Sequence, residues 1–295
     1  NRNFKYSKLL EGISNLVFQD IKIESPENYF IPMENSFSEE YSHFIPINQM
    51  FLKSNSGIQT KQDALAIHFT EEELTNTIDV IRRNSIEETR KILDLGGDTS
   101  GWKLSNVKSD IVNGNGSIIS IQHNPWDYRY TYFTGRSSGF IGRPRTDITI
   151  QMNMQPPNLA LISVRQVVGG DEPCMALASR TTVTDRMMYS KRGTPYVFPL
   201  WRWESNGEMI SKVTQQNRAV RGSNINSNLM KMLREQSVSN DKTTPSPEDI
   251  FHYTYGIFFS NSFRTRYKTL LPRDYLRVPF TSNEALFQEI TQLGS

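Results

Sequence analysis

The sequence has 295 residues, 37% hydrophobic and 22% charged, which suits a globular protein of one large domain or a few small ones. No apolar run reaches the length of a membrane span and no signal-peptide pattern opens the chain, so no membrane partner is expected. The single cysteine, Cys174, excludes an intrachain disulfide and fits a cytoplasmic setting, and His43, His68, His123 and His252 have no zinc-ligand spacing.

The net charge of +2 is unevenly spread. Residues 1–120 hold 12 Lys+Arg against 17 Asp+Glu (−5), residues 121–234 hold 15 against 7 (+8), and residues 235–295 hold 6 against 7 (−1). Twelve of the fifteen cations in the middle part are arginine, whose planar fork matches phosphates and guanine edges. That bias points towards a polyanionic partner.

In chain order, Asn1-Arg2-Asn3 replaces an initial methionine, so the chain is read as part of a longer protein. YFIP (29–32) and FIPI (44–47) read as short strands stopped by proline. GIQTKQDALAIHF (57–69) alternates at Leu65, Ile67 and Phe69 and reads as a strand after a glycine turn. Thr70 with Glu73, then Ser85 with Glu88, form capping-box patterns that start two helices, the second stopping at Gly96-Gly97. From 116 to 204 the runs SIISIQ, DYRYTYF, DITIQM, LALISVRQVV and YVFPLWRW read as strands. Residues 205–248 are polar, with a helical candidate at 226–235. Ser246-Pro247-Glu248-Asp249 starts a C-terminal helix, Ser262 opens a second, and Glu284–Leu293 forms a third.

Enzyme signatures fit poorly. In GGDTSGWK (96–103), Trp102 occupies the place where a phosphate loop needs lysine. Asn124-Pro125-Trp126 and Gln155-Pro156-Pro157-Asn158 are near misses for the tetrad that holds a flipped adenine, and no glycine-rich cofactor loop follows a strand. Asp171-Glu172 near Lys191 lacks a supporting nuclease pattern. No catalytic residue and no metal ligand is assigned.

The stretch WDYRYTYFTGRSSGFIGRPR (126–145) divides in two. Trp126, Tyr128, Tyr130 and Tyr132 alternate, so on a strand they share a face, expected to be buried. Arg136, Arg143 and Arg145 lie in glycine- and serine-rich turns, where Pro144 stiffens the backbone between the last two. That second half suits phosphate or guanine contact, against a plain solvated loop.

Five segments resemble, in order, the C-terminal specificity (target recognition) domain of bacterial Type ISP restriction–modification enzymes. HNPWDYRYTYFTGRSSGFIGRPR resembles the family's Y-R-P-F-D-x-R-W-x-Y-Y-T-G … G-R-P-R. GIQTKQDALAIHF, NLALISVRQV, YVFPLWRW and PEDIFHYTYGIFFSNSFRTRYKTLLPRDYLRVPF resemble its other marks. Asn124 stands where the family has arginine, so that arginine's role is not carried over.

The resemblance implies a module that reads a short asymmetric duplex DNA site and fastens to a methyltransferase domain of the same chain. Adenine methylation and cleavage, with S-adenosylmethionine, ATP and Mg, would lie in upstream domains. The expected fold is α+β: an N-terminal α/β connector (1–115), a β-rich DNA-reading core (116–205), and a polar loop with a helical subdomain (206–295). The DNA-binding candidates are Arg136, Arg143, Arg145, Arg165, Gln166, Arg180, Lys191, Arg192, Arg218 and Arg221. Two alternatives remain open: a structural module that couples to a methyltransferase through the faces of Phe251, Tyr255, Phe259 and Phe263, or part of the methyltransferase itself.

Overall fold

The computed structural model describes residues 2–12, 37–167, 176–188, 193–205, 208–209, 219–236 and 244–295. The YFIP run at 29–32, Cys174 and much of the polar stretch after 205 lie outside them. By contacts the chain divides at Glu39/Glu40; in the first unit the described structure is helix α1 (Arg2–Leu10), the turn after it and residues 37–39.

α2 (Ser38–Ser42), β1 (Ile45–Pro46), α3 (Ile47–Met50) and β2 (Asn55–Ser56) lead into the second unit. The expected strand at 57–69 is instead a helical turn, α4 (Asp63–Ala66), flanked by single bridges at Ile58, Gln59 and His68. The Thr60 hydroxyl donates to the Asp63 carboxylate and nucleates that turn. Leu65 and Ile67 are still buried, while Phe69 is exposed.

α5 (Glu71–Arg83) and α6 (Ile86–Ile92) start at Thr70 and Ser85 with both capping boxes closed, as the sequence indicates. α6 stops earlier than the glycine pair. Asp94 takes the left-handed position (φ 47°), and Leu95 N–H donates back to Arg90 C=O at 2.9 Å. α7 (Leu104–Asn113) was not expected. It buries Leu104, Val107 and Ile111 at helical spacing, and the Asp98 carboxylate accepts from Leu104 N–H.

β3 (Ser117–Asn124) and β4 (Asp127–Phe133) form a hairpin; β3 is buried at Ile119, Ile121 and Gln122, and β4 only at its base, Thr131–Phe133. Tyr132 and Phe133 are buried, but Trp126 and Tyr128 at the tip are exposed, which corrects the expected burial of the whole aromatic strand. The alternation is real, but Trp126 and Tyr128 themselves stay exposed at the tip.

α8 (Thr146–Met152) replaces the expected strand DITIQM. Ile148 and Met152 pack into one core and Ile150 into another. A helix buried on opposite sides places apolar residues at every second position, and that imitates a strand.

β5 (Ala160–Val164), β6 (Ala176–Ser179), β7 (Thr182–Val183) and β8 (Pro195–Pro199) follow, then β9 (Trp201–Ser205), β10 (Glu208–Met209) and β11 (Val220–Ser223). α9 (Ser227–Gln236), α10 (Pro247–Phe259), α11 (Asn261–Arg266), β12 (Arg277–Val278) and α12 (Glu284–Leu293) complete the chain. α11 is capped by Ser260, two residues before the expected start. Among the described residues the sheets run β1-β12, β10-β9-β11, β2-β8-β5-β6 and β4-β3-β7. The fold is α+β.

β5 is buried on both faces: Leu161 packs with the C-terminal helices, while Ile162 packs with α8, Met187 and Met188. In the helical core Tyr253 stacks between Phe280 and Phe287 and donates its hydroxyl to Pro279 C=O at 2.6 Å. Burial pushes that hydroxyl's pKa up to about 12, so it remains a donor across ordinary pH.

Asn158, fully buried, joins the layers. Its amide donates to Gln151 C=O (3.0 Å) and Trp201 C=O (2.8 Å), and its oxygen accepts from Leu159 and Trp201 N–H (2.9 and 3.1 Å). Asn158→Ala strands these buried backbone groups and should cost roughly 2–4 kcal/mol, read as a lower urea midpoint.

Candidate nucleic-acid interface

The arginine-bearing loop between β4 and α8 is organised by one buried side chain, Asp110 of α7, at 1% exposure. Its carboxylate accepts from Phe140 N–H at 2.7 Å and from the Thr134 hydroxyl at 2.8 Å. A Cβ at Gly139 would collide with that carboxylate, so the loop closes over it only with glycine there. The two limbs are tied by Ser138 N–H to Gly142 C=O (2.8 Å) and by the Thr146 hydroxyl to Gly135 C=O (3.0 Å). Arg136 and Arg143 therefore stand exposed on facing limbs.

The loop then joins a row of backbone segments. β7 pairs parallel to β3 (Gln122 with Val183), Ile58 bridges parallel to Thr184, and Gln59 bridges antiparallel to Arg143. Hydrogen bonds run across the row. The Thr184 hydroxyl donates to His123 C=O (2.9 Å), Asp185 N–H to Ile58 C=O (2.8 Å), and Gln59 and Arg143 exchange both backbone bonds (3.0 and 2.8 Å).

Three members of the row run the same way, so their forward ends share one rim. β3 leads to the hairpin tip, β7 to Arg186, and residues 57–60 to Lys61, beside which lies Arg143. Lys61 adopts φ 69° and lies over Gly142, where any side chain would displace it. Lys61, Arg143 and Arg186 are exposed, and none forms an ion pair within 4.0 Å among the described residues. The carboxylates beside them are Asp185, half-buried, and Asp63, exposed and two residues on from Lys61. Burial raises the Asp185 carboxyl pKa, against the pull of Arg186 and a hydrogen bond from Gln59.

The remaining candidates are placed elsewhere. Arg145 is half-buried with φ 48° at the start of α8, and its buried Nε lacks a hydrogen-bond partner. Arg165 is exposed but donates to Asp274 at 2.8 Å, and Gln166 follows it. Arg180 is exposed at the other end of β7 from Arg186. Arg221, on β11, stacks 3.9 Å above the Trp201 ring. Lys191, Arg192 and Arg218 lie outside the described residues.

Lys61 and Arg186 escaped the sequence reading. Each directly follows a short β-prone run ending in threonine or aspartate, a signal too weak to single out without the pairing order. Arg129, by contrast, is neutralised: it forks onto Asp127 at 2.9 and 2.8 Å, and these bonds hold that carboxyl below the usual range. Among the described residues no group of three or more His, Cys, Asp or Glu is placed to hold a metal, and no helix is long and apolar enough to cross a membrane.

These features define an α+β module with a basic rim set beside a hairpin. The family described as the Type ISP C-terminal specificity domain matches residues 49–295, and the chain belongs to that family. Its fold is similar to three solved structures. One is the ATP-dependent Type ISP restriction-modification enzyme LlaBIII bound to DNA (TM-score 0.60, 14% identity, 85% of this chain and 16% of that one). The second is the DrdV–DNA complex (0.63, 17%, 96% and 27%). The third is a nuclease-deletion mutant of the Type ISP enzyme LlaGI in complex with a DNA substrate mimic (0.59, 18%, 98% and 26%). The chain thus spans between 16% and 27% of those chains. No curated protein matches the sequence.

Asp110→Ala removes two bonds to a buried carboxylate and should cost about 3 kcal/mol. It should also raise amide exchange across residues 134–143 more than in β5 or α10.

Proposed function

We propose that this chain reads a short site on double-stranded DNA for a restriction–modification enzyme whose adenine methylation and cleavage are carried by other domains. The observation that carries the reading is the rim itself. Lys61 and Arg186, distant in sequence, follow the ends of neighbouring hydrogen-bonded segments, Arg143 pairs with Gln59 beside them, and none of the three is in an ion pair within 4.0 Å among the described residues. Neighbouring segments lie about 4.8 Å apart, so the four-segment row spans about 14 Å. That matches about four base-pair steps at 3.4 Å each.

In this reading the rim cations contact phosphates and fix register, while a few side chains reach base edges. Arg136, on the facing limb of the loop, is one base-reading candidate. Arg165 and Gln166 are another pair, for which Arg165 must leave Asp274. An exposed ion pair is worth only about 0–1 kcal/mol, so a bidentate guanine contact outweighs it. Arg145, Arg180 and Arg221 remain candidates for backbone contact away from the rim, and Lys191, Arg192 and Arg218, outside the described residues, remain candidates from the sequence. S-adenosylmethionine, ATP and magnesium belong, in this account, to the other domains.

The coupling alternative loses part of its basis. Phe251 and Phe263 pack in the chain's own core, and Tyr255 packs on Phe259 at 4.6 Å between ring centroids.

Titration of the chain with target and scrambled duplexes at several salt concentrations tests the reading. Lys61→Ala, Arg143→Ala and Arg186→Ala should each weaken both duplexes and lower the salt slope by about 1. Arg165→Ala should cost roughly 1–3 kcal/mol on the target and little on the scramble. Asp185→Asn, which removes one anion from the rim, should tighten binding to both. Unchanged affinity in the triple rim variant contradicts the proposal.

A further inference from the structure

The hairpin ends in Asn124-Pro125-Trp126-Asp127, and its tip carries the most exposed tryptophan side chain among the described residues. Trp126 is 80% exposed at φ 62°, and Tyr128, two residues on, is 53% exposed. A large aromatic side chain gains most by burial, so one held in solvent at a left-handed backbone position is the kind of exposure that marks a contact site.

The tip is also stiff. The Asn124 amide donates to the Asp127 carboxylate at 3.3 Å, and Arg129 grips the same carboxylate with two bonds. The Arg129 guanidinium lies 4.1 Å from the Phe69 ring, and His68 and Tyr130 exchange backbone bonds at 3.0 and 2.9 Å. A pre-set tip loses little entropy when it engages a partner.

Position names the partner. β3 is the first member of the row that carries Arg186, Lys61 and Arg143, and Trp126 lies three residues beyond the His123 carbonyl that joins it to Thr184. An indole at the end of a basic rim, with Asp127 and Arg129 cancelling each other in the strand that follows it, is matched to a base flanked by phosphates.

We infer that Trp126 is a base-stacking wedge. It places its indole against a base at the edge of the duplex held by the rim and unstacks that step, while Asp127, Arg129 and Phe69 brace it. The inference rests on the rim binding DNA. The wedge supplies stacking energy and local distortion, so it favours target sites whose edge step opens easily.

The test uses the whole chain and a duplex carrying the site found methylated in the genome of the source cell. 2-Aminopurine replaces successive bases across that site. Wild type should brighten one edge position at saturation. Trp126→Ala should fold with an unchanged melting temperature, weaken binding about tenfold or more and abolish the bright position. Trp126→Phe should retain most of both, and keeps the test sound if the alanine variant does not fold. Arg143→Ala should weaken binding yet keep the bright position once saturated. Wild-type affinity and an unchanged 2-aminopurine profile in Trp126→Ala overturn the wedge and leave the rim reading standing. Failure of the wild-type chain to bind the duplex overturns both.

Discussion

Asp110 places a carboxylate in the interior of the protein, where it accepts from two loop groups, the Phe140 N–H and the Thr134 hydroxyl. A buried carboxylate without donors is costly, so the loop that supplies them is fixed over α7. Much follows from that. Gly139 has no room for a side chain, the limbs close at Ser138 and Gly142, and Arg143 meets Gln59 in the correct register. Without Asp110 the loop would keep only its backbone bonds to residues 59 and 60 to hold its arginines in place against Lys61.

The second element of order is the direction of the row. β3, β7 and residues 57–60 run parallel, so whatever follows each of them arrives at the same rim. Parallel pairing demands long connections, and here it gathers side chains separated by 43 to 125 positions in the sequence. Excess positive charge in the middle of the chain becomes a local feature through topology rather than through a run of basic residues. The hairpin extends the same strand past the rim, which joins a stacking group to a set of cations on one continuous backbone frame.

Much of the local structure was legible. Thr70, Ser85 and Ser246 cap helices by the pattern their spacing announces, because capping is decided within four residues. What failed was whatever depended on layers. DITIQM alternates because α8 is pinched between two cores, and no strand is formed. DYRYTYF alternates equally well, yet Tyr128, and Trp126 just before the run, stay exposed. The arginine loop at 136–145 was visible from its Gly-Ser-Arg-Pro chemistry. Lys61 and Arg186 were not, since their importance comes from neighbours in the row that only the pairing order supplies. The family resemblance rested on order of motifs over the whole chain, and the match to the Type ISP C-terminal specificity domain over residues 49–295 agrees with it.

The central claim is that the rim of aligned segment ends is the DNA-facing surface. Amide hydrogen exchange of the chain, alone and saturated with target duplex, measures that surface directly. The account predicts protection concentrated in residues 59–62, 123–128, 136–145 and 184–188, with α10 and α12 unchanged. Protection confined to the C-terminal helices, with those four segments exchanging as in the free chain, would contradict it.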